Sequence, residues 1–470
     1  MKSWKLVSLS VAIAAAFPAV IPTTAFAQSN AEVLTELRAL RERVADLEKK
    51  LSAAEAARPA GAAATAASPS GMTPQQVSDF NRIATKAEAI EDARDASGQR
   101  GLKFSGYADP AYIYNKNQRR AGFQFLNKVE ADSYNYDNSY FGAVSLDLQK
   151  EMDGGTKWRL TLVPNRGTGA VFDANSIVHE ASVSVPLGDL QTRFIAGQIP
   201  DWSGYEYLPA TQNKLITHNL LFDFTLPAAY TGAGMEITRG KWVVKGLLAN
   251  LNASKRQAGE KTPVLAYRVD YARGEYQGFG FAGVHGKAAN SRAADGVGNL
   301  ITLQPFSLAD TAVNTFEVDG YFIRGDWTVQ GQVSLGRQKS ASVTADPVSG
   351  ELRDAKWWGL SALAAYKITP RLEGIVRADY ISNKKNGGGL LTYSFADGRN
   401  GIGPDPAGDP EVGANRTALS FGLSYAFNLN TTMKAEYRLD RASQPVFVDV
   451  RDGSYKKSNH LFGTSVVVSF

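Results

Sequence analysis

The 470-residue chain contains no cysteine, which excludes disulfides, thiolate metal sites, a thiol nucleophile and lipidation of an N-terminal Cys. Net charge is scarce as well. Lys and Arg number 51 against 46 Asp and Glu, too even a balance for a nucleic-acid footprint. Apolar runs long enough to cross a bilayer as helices are missing beyond the first residues. With 21% charged residues and a mean hydropathy of −0.23, a polytopic helical membrane protein is excluded, since each span needs about 20 apolar residues. Histidine is rare. His179, His218, His285 and His460 lie far apart, at no metal-ligand spacing. What is plentiful is Gly (44), Tyr (19) and Phe (22), which favours an all-β architecture in which one large barrel absorbs most of the length.

The first segment reads as a secretory signal peptide over 1–27. Lys2 and Lys5 precede an apolar stretch from Leu6 to Val20, and Ala25-Phe26-Ala27 supplies small residues for cleavage before Gln28. A permanent anchor would need a longer run. Residues 28–52 follow as a coiled-coil helix whose heptad seam is Val33, Leu37, Leu40, Val44, Leu47 and Leu51, flanked by Glu and Arg. So short a helix is marginal alone in water, so the seam calls for partner helices; the alternative is an amphipathic helix lying on its own domain. Residues 53–72 are an Ala- and Pro-rich linker. A second helix is predicted over 73–98, opened by Thr73-Pro74 with Gln76 three residues after the cap and closed at Ser97-Gly98.

From 101 to 470 the period changes to two. Phe316 to Phe322 places Glu317 and Asp319 on one parity, and Trp327 to Leu335 places Thr328, Gln330, Gln332 and Ser334 on one parity. Charged parity faces water in a soluble sandwich and an aqueous lumen in an outer-membrane barrel. The connections decide between them. Tight turns such as Arg239-Gly240, Gly325-Asp326 and Ile368-Thr369-Pro370 alternate with long polar stretches near 115–137, 165–176, 200–228, 253–262, 288–311, 340–353, 385–413 and 443–457. That alternation marks a bacterial outer-membrane barrel with periplasmic turns and outer loops. Trp158, Trp242, Tyr276, Trp327 and Phe427 lie near the tight turns, as an interfacial girdle requires, and the last strand ends on Phe470. Eight long loops imply a 16-stranded antiparallel transmembrane β-barrel, wide enough to enclose an aqueous channel unless plugged.

The segments Arg193 to Pro200, Trp202 to Glu206 and Asp223 to Tyr230 resemble the fifth strand, third loop and sixth strand of the phosphate-selective porin superfamily. Signal peptide, coiled coil and barrel together resemble an uncharacterised family of porin-like envelope proteins, a domain of unknown function. The resemblance implies a homotrimeric outer-membrane channel with a periplasmic helical extension; it implies no substrate. The third loop has no dense run of Arg and Lys of the kind a phosphate-selective pore would use.

The function expected is therefore that of a porin for small hydrophilic solutes or ions, set in outer-membrane lipid. If the loop 200–228 folds inward, Asp201, Glu206, Lys214, His218 and Asp223 are the polar groups of its constriction. Inward parity offers the cations Lys103, Lys157, Arg159, Arg193, Arg268, Arg371, Arg377, Lys434 and Arg438. The anions are Asp109, Asp147, Asp270, Glu317, Asp319, Glu373, Asp379, Glu436 and Asp440. Opposed charges across a channel create a transverse field; the alternative is that they pair along the wall. Arg119 and Arg120 of the first loop read as solvated surface or an entrance funnel. A competing function is structural, a barrel anchoring a coiled coil that tethers the membrane to peptidoglycan or a periplasmic partner. No catalytic residues, cofactor or metal are expected. His179-Glu180 sits on a strand, where neighbours face opposite sides, and Gly167-Thr168-Gly169 lacks the helix that a phosphate loop opens.

Overall fold

A computed structural model describes residues 101–125, 141–163, 177–253, 262–272, 275–291, 307–391 and 395–470, with Arg82, Ile83, Thr85, Lys86 and Ala89. The chain divides into two compact units, Met1–Ile90 and Glu91–Phe470. The five described residues of the first are helical and fall within the span predicted for the second helix. The signal peptide, the heptad seam and the linker lie outside the described residues.

The second unit is a sheet closed on itself. Its strands are β1 (Leu102–Ala108), β2 (Ala111–Asn115), β3 (Arg120–Gln124), β4 (Val144–Glu151), β5 (Lys157–Leu162), β6 (Val178–Leu187) and β7 (Asp189–Pro200). Helix α1 (Leu220–Phe224) precedes β8 (Ala229–Arg239), β9 (Trp242–Leu251), β10 (Val264–Ala272), β11 (Gln277–Ser291), β12 (Ser307–Arg324) and β13 (Trp327–Gln338). Then come β14 (Ala355–Lys367), β15 (Leu372–Ser382), β16 (Arg416–Ala426), β17 (Thr431–Ala442), the small pair β18 (Phe447–Val448) and β19 (Tyr455–Lys456), and β20 (Ser458–Ser469).

β1 and β2 are one barrel strand interrupted at Asp109-Pro110, because both pair with β20. Pro110 has no N–H to give the ladder, but its carbonyl accepts from Val466 at 3.2 Å. Likewise β3 and β4 pair with β2 and β1 and share the second position. Each later strand pairs with the next, and the ring closes through β17, β20 and β1, giving sixteen positions, all antiparallel. This is the predicted barrel. Two connections differ from the sequence reading. Where one loop was expected over 115–137, β2 and β3 form a hairpin and the insertion falls within the second strand. The fifth loop is shorter than 288–311, because the ladder of β11 and β12 continues to Ser291 and Ser307.

The two faces separate by polarity. On β13, Trp327, Val329, Val333 and Leu335 are exposed, while Thr328, Gln332 and Ser334 are buried. An apolar outer face and a polar inner one invert the soluble pattern and suit lipid outside and water within. Aromatics border the outer face at both ends. Trp327 packs on Tyr366 at 4.8 Å and Trp242 on Tyr271 at 4.7 Å beside the short turns. Trp358 packs on Tyr380 at 5.2 Å toward the long loops.

Candidate functional site

The third long connection, 201–228, joins β7 and β8, the fifth and sixth barrel positions, yet it contacts β14 to β17. β15 stands eight strands from β7 in either direction, so the loop crosses the interior to the opposite wall. Its departure is fixed first. Asp201 accepts from the Ser203 N–H at 3.0 Å and from the Tyr230 hydroxyl at 2.5 Å. The Gly204 N–H then donates to Glu317 at 3.0 Å. Behind Glu317, Arg268 binds Glu317, Asp319 and Asp270 together.

The middle of the loop is anchored by charge. Arg377 donates to Glu206 at 2.9 Å, to the Thr217 carbonyl at 2.6 Å and to the His218 carbonyl at 2.9 Å. Arg438, held by Asp440 at 2.9 Å, reaches the same His218 carbonyl at 2.8 Å. Glu436 accepts from the Ile216 and Thr217 N–H groups, both at 2.8 Å. Lys434 donates to the carbonyls of Ala210 and Asn213 at 2.6 Å, and Lys214 pairs with Glu373 at 2.7 Å. Arg377 and Arg438 have fully buried side chains. Such burial is tolerable because their donors meet carboxylates and carbonyls.

The end of the loop is apolar. Asn219 caps α1 by accepting from Leu221 and Phe222, and its own N–H donates to Glu206 at 2.5 Å. Leu220, Leu221 and Phe224 join inner-wall residues such as Trp357 and Ile381 and the seventh-loop residues Leu390, Leu391 and Ile402 in one cluster. Arg416 lies over the Phe224 ring at 4.7 Å. Glycines make the room. A Cβ on Gly422 would meet Leu215 at 2.2 Å, one on Gly359 would meet Leu221 at 2.4 Å, and one on Gly463 would lie 3.4 Å from Ile216.

Burial sets the protonation of the loop. The His218 imidazole is pushed down to about 3 by burial, so it is neutral near pH 7 and its 3.9 Å approach to Asp223 is not an ion pair. The Glu206 carboxyl is pushed up to about 7 by burial, with Arg377 opposing the shift.

Of the residues singled out in the sequence, Glu206, Lys214, Arg268, Glu317, Glu373, Arg377, Lys434, Glu436 and Arg438 join this network, with Asp270 and Asp319 behind it. Asp201 holds the loop's start, and His218 and Asp223 are buried within the loop. Lys157, Arg159 and Arg193 are not brought to the loop. Lys157 pairs with Glu151 at the short-turn end, and Arg193 donates to the Gly155 carbonyl at 2.7 Å. Arg159 binds Asp147 at 2.8 Å and Glu180 at 3.3 Å on the facing wall, its side chain 42% exposed. Arg371 lies exposed at a short turn, and Arg119 is committed to Asp449 at 2.7 Å. The sequence reading missed Thr217, Asn219, Glu180, Lys245, Arg416 and the three glycines. Inward parity was the signal for Arg416 and the glycines.

Fold and site define a class, the sixteen-stranded porin-type barrel with an inward third loop. The chain belongs to the family described as protein of unknown function DUF3138, whose model matches residues 1–470. No curated protein matches it. Among solved structures it is similar to OmpT, an outer membrane protein of Vibrio cholerae, at 12% identity and a TM-score of 0.49, over 78% of this chain and 97% of that one. It is also similar to the anion-selective porin from Comamonas acidovorans, at 12% identity and a TM-score of 0.47, over 78% and 99%. A third is OmpF of Salmonella typhi in complex with daunomycin, at 12% identity and a TM-score of 0.46, over 78% and 97%.

Proposed function

We propose that the chain is a bacterial outer-membrane porin that passes small hydrophilic solutes or ions by diffusion, with the loop 200–228 as its constriction. The observation that carries this reading is the route of that loop across the interior to β15, while two cations on other strands of the inner wall keep part of their surface. Arg377 on β15 and Arg438 on β17 are fully covered, whereas Arg159 on β5 and Lys245 on β9 keep 42% and 29% of their side-chain surface. The proposed passage runs beside the loop, past Arg159 and Lys245. Arg159, Asp147, Glu180, Lys245 and Glu236 line it on the wall side, charges of both signs that set a local field.

Phosphate selectivity forms no part of the proposal, because Lys214 is the loop's single Lys or Arg and is paired with Glu373. A homotrimer and a periplasmic extension are proposed from the heptad seam Val33 to Leu51. Export is proposed to be directed by the signal peptide, with cleavage near Ala27.

Single-channel conductance of the refolded protein in planar bilayers, with the reversal potential under a salt gradient, tests the reading. Stepwise openings are expected, and silence from correctly inserted protein would sink it. The tether is the second reading, and the apolar cluster of third and seventh loops inside the barrel favours it by narrowing the lumen. It predicts that deleting residues 28–98 weakens the envelope without altering permeability.

A further inference from the structure

On one side of the barrel the apolar belt ends in a patch of positive charge. Outward from the short turns, β14 reads Tyr366, Ala364, Ala362, Leu360, Trp358, then Lys356. β13 reads Trp327, Val329, Gly331, Val333, Leu335, then Arg337. In each the cation comes ten residues along, which at about 3.3 Å per residue and a tilt of roughly 40° is about 25 Å of height, the height of a barrel's apolar band.

The ladder sets these groups in one row. Arg337 lies opposite Lys356, and the row continues through Asn314 on β12 to His285 on β11. One step farther out, Lys287 lies opposite Ala312, whose carbonyl accepts from the Lys339 N–H at 2.8 Å. One step inward, Phe316, Leu335 and Trp358 form the apolar row beneath.

Like charges opposed across strands repel. Among the described residues only Arg337 has an acidic partner here, Asp354 at 2.8 Å, which also accepts from the Ser340 N–H. Lys287, Lys339 and Lys356 are exposed. The corresponding end of β7, β8 and β9 carries neutral groups instead, with Gln198 opposite Thr231 and Thr231 opposite Asn250. The charge is carried by this wall and not by β7 to β9, directly above the aromatic border; Arg441 on β17 and Lys116 beyond β2 are further exposed cations at that end.

We propose that Lys287, Arg337, Lys339 and Lys356 form a docking surface for an anionic, phosphate-bearing glycolipid of the surrounding leaflet. Headgroup phosphates at the depth of this row neutralise Lys287, Lys339 and Lys356, which have no acidic partner among the described residues, while the lipid chains lie along the belt below. The proposal rests on the reading of the barrel as membrane-spanning.

The test titrates a diphosphorylated, acylated glucosamine disaccharide, and its dephosphorylated counterpart, into the refolded full chain in zwitterionic detergent. The phosphorylated form is expected to bind at least about tenfold more tightly at low salt, with the difference shrinking as salt is raised. A K287Q/K339Q/K356Q variant is expected to lose about a hundredfold, at roughly fivefold per cation. A K241Q/K367Q/R371Q variant at the other end of the barrel is expected to bind like the parent. If the rim triple does not fold, K356Q alone is expected to lose about fivefold. Equal binding of the two glycolipids, unchanged binding by the rim variants, or displacement by equimolar inorganic phosphate would overturn the proposal. Failure of the parent chain to insert into phosphatidylcholine vesicles would instead overturn the membrane reading, and the lipid site with it.

Discussion

Arg377 on β15 holds Glu206 of the third loop at 2.9 Å across the barrel, although 171 residues separate them in the chain. The same guanidinium also carries the carbonyls of Thr217 and His218, so one side chain fixes two points of the loop.

Replacing Arg377 with Met leaves Glu206 and Asp379 buried without their counter-charge. Breaking one side of such a pair costs about 3–5 kcal/mol, and the expected result is a lower urea midpoint for the vesicle-inserted barrel. Because the loop loses two anchors, single-channel records should become noisier, with a larger mean conductance. An R377M/E206Q double variant should recover part of the stability. No recovery would show that Glu206 is not the group left stranded.

The glycine recesses give a steric test. Gly422→Leu on β16 is expected to force Leu215 from its seat, at about 1–3 kcal/mol for overpacking. Gly331→Leu points to lipid on the outer face of β13 and should be tolerated. Equal stability and conductance for the two variants would mean that the loop is not seated against the wall.

Lys214 keeps about a third of its side-chain surface while it pairs with Glu373, so the pair's contribution to stability should stay near or under about 1 kcal/mol. Its contribution to ion preference is separable. K214E should move the reversal potential toward cations, and K214E/E373K should return it near the parent value. An unmoved potential in K214E would place the ion path elsewhere.

At the mouth, the bidentate bond from Arg119 holds the Asp449 carboxyl down, to about 2 from an ordinary 3.8. A depressed carboxyl contributes its stability above the ordinary value and loses it as pH falls from about 4 toward 2. Hydrogen exchange at the Gly453 amide, which donates to the Asp449 carbonyl at 2.9 Å, should therefore accelerate over that range. D449N should exchange as fast at pH 7. Flat exchange down to pH 2 would remove this clasp from the account.

The barrel itself was legible because its physics is local. Alternation within β13 and the turn at Gly325-Asp326 each need only neighbouring residues, and the shortness of alternate connections gave the order. The inward parity of Arg377, Glu436 and Arg438 was legible for the same reason. Their partners were not. Glu436 accepts from the Thr217 N–H from 219 residues away, and no spacing rule links a loop amide to a strand that far along. The hairpin of β2 and β3 was hidden because Lys116 to Arg119 resemble the polar loop around them. Pro110 marked the break in the first strand, but a single proline does not tell a break from an end.

The seat of the third loop also has an order in time. Its recesses and most of its anchors come from β14 through β20, all synthesised after the loop. Until those strands have been added, the loop lacks its full seat. Narrowing of the lumen is therefore completed late, and an assembling barrel passes through a wider state than the finished one.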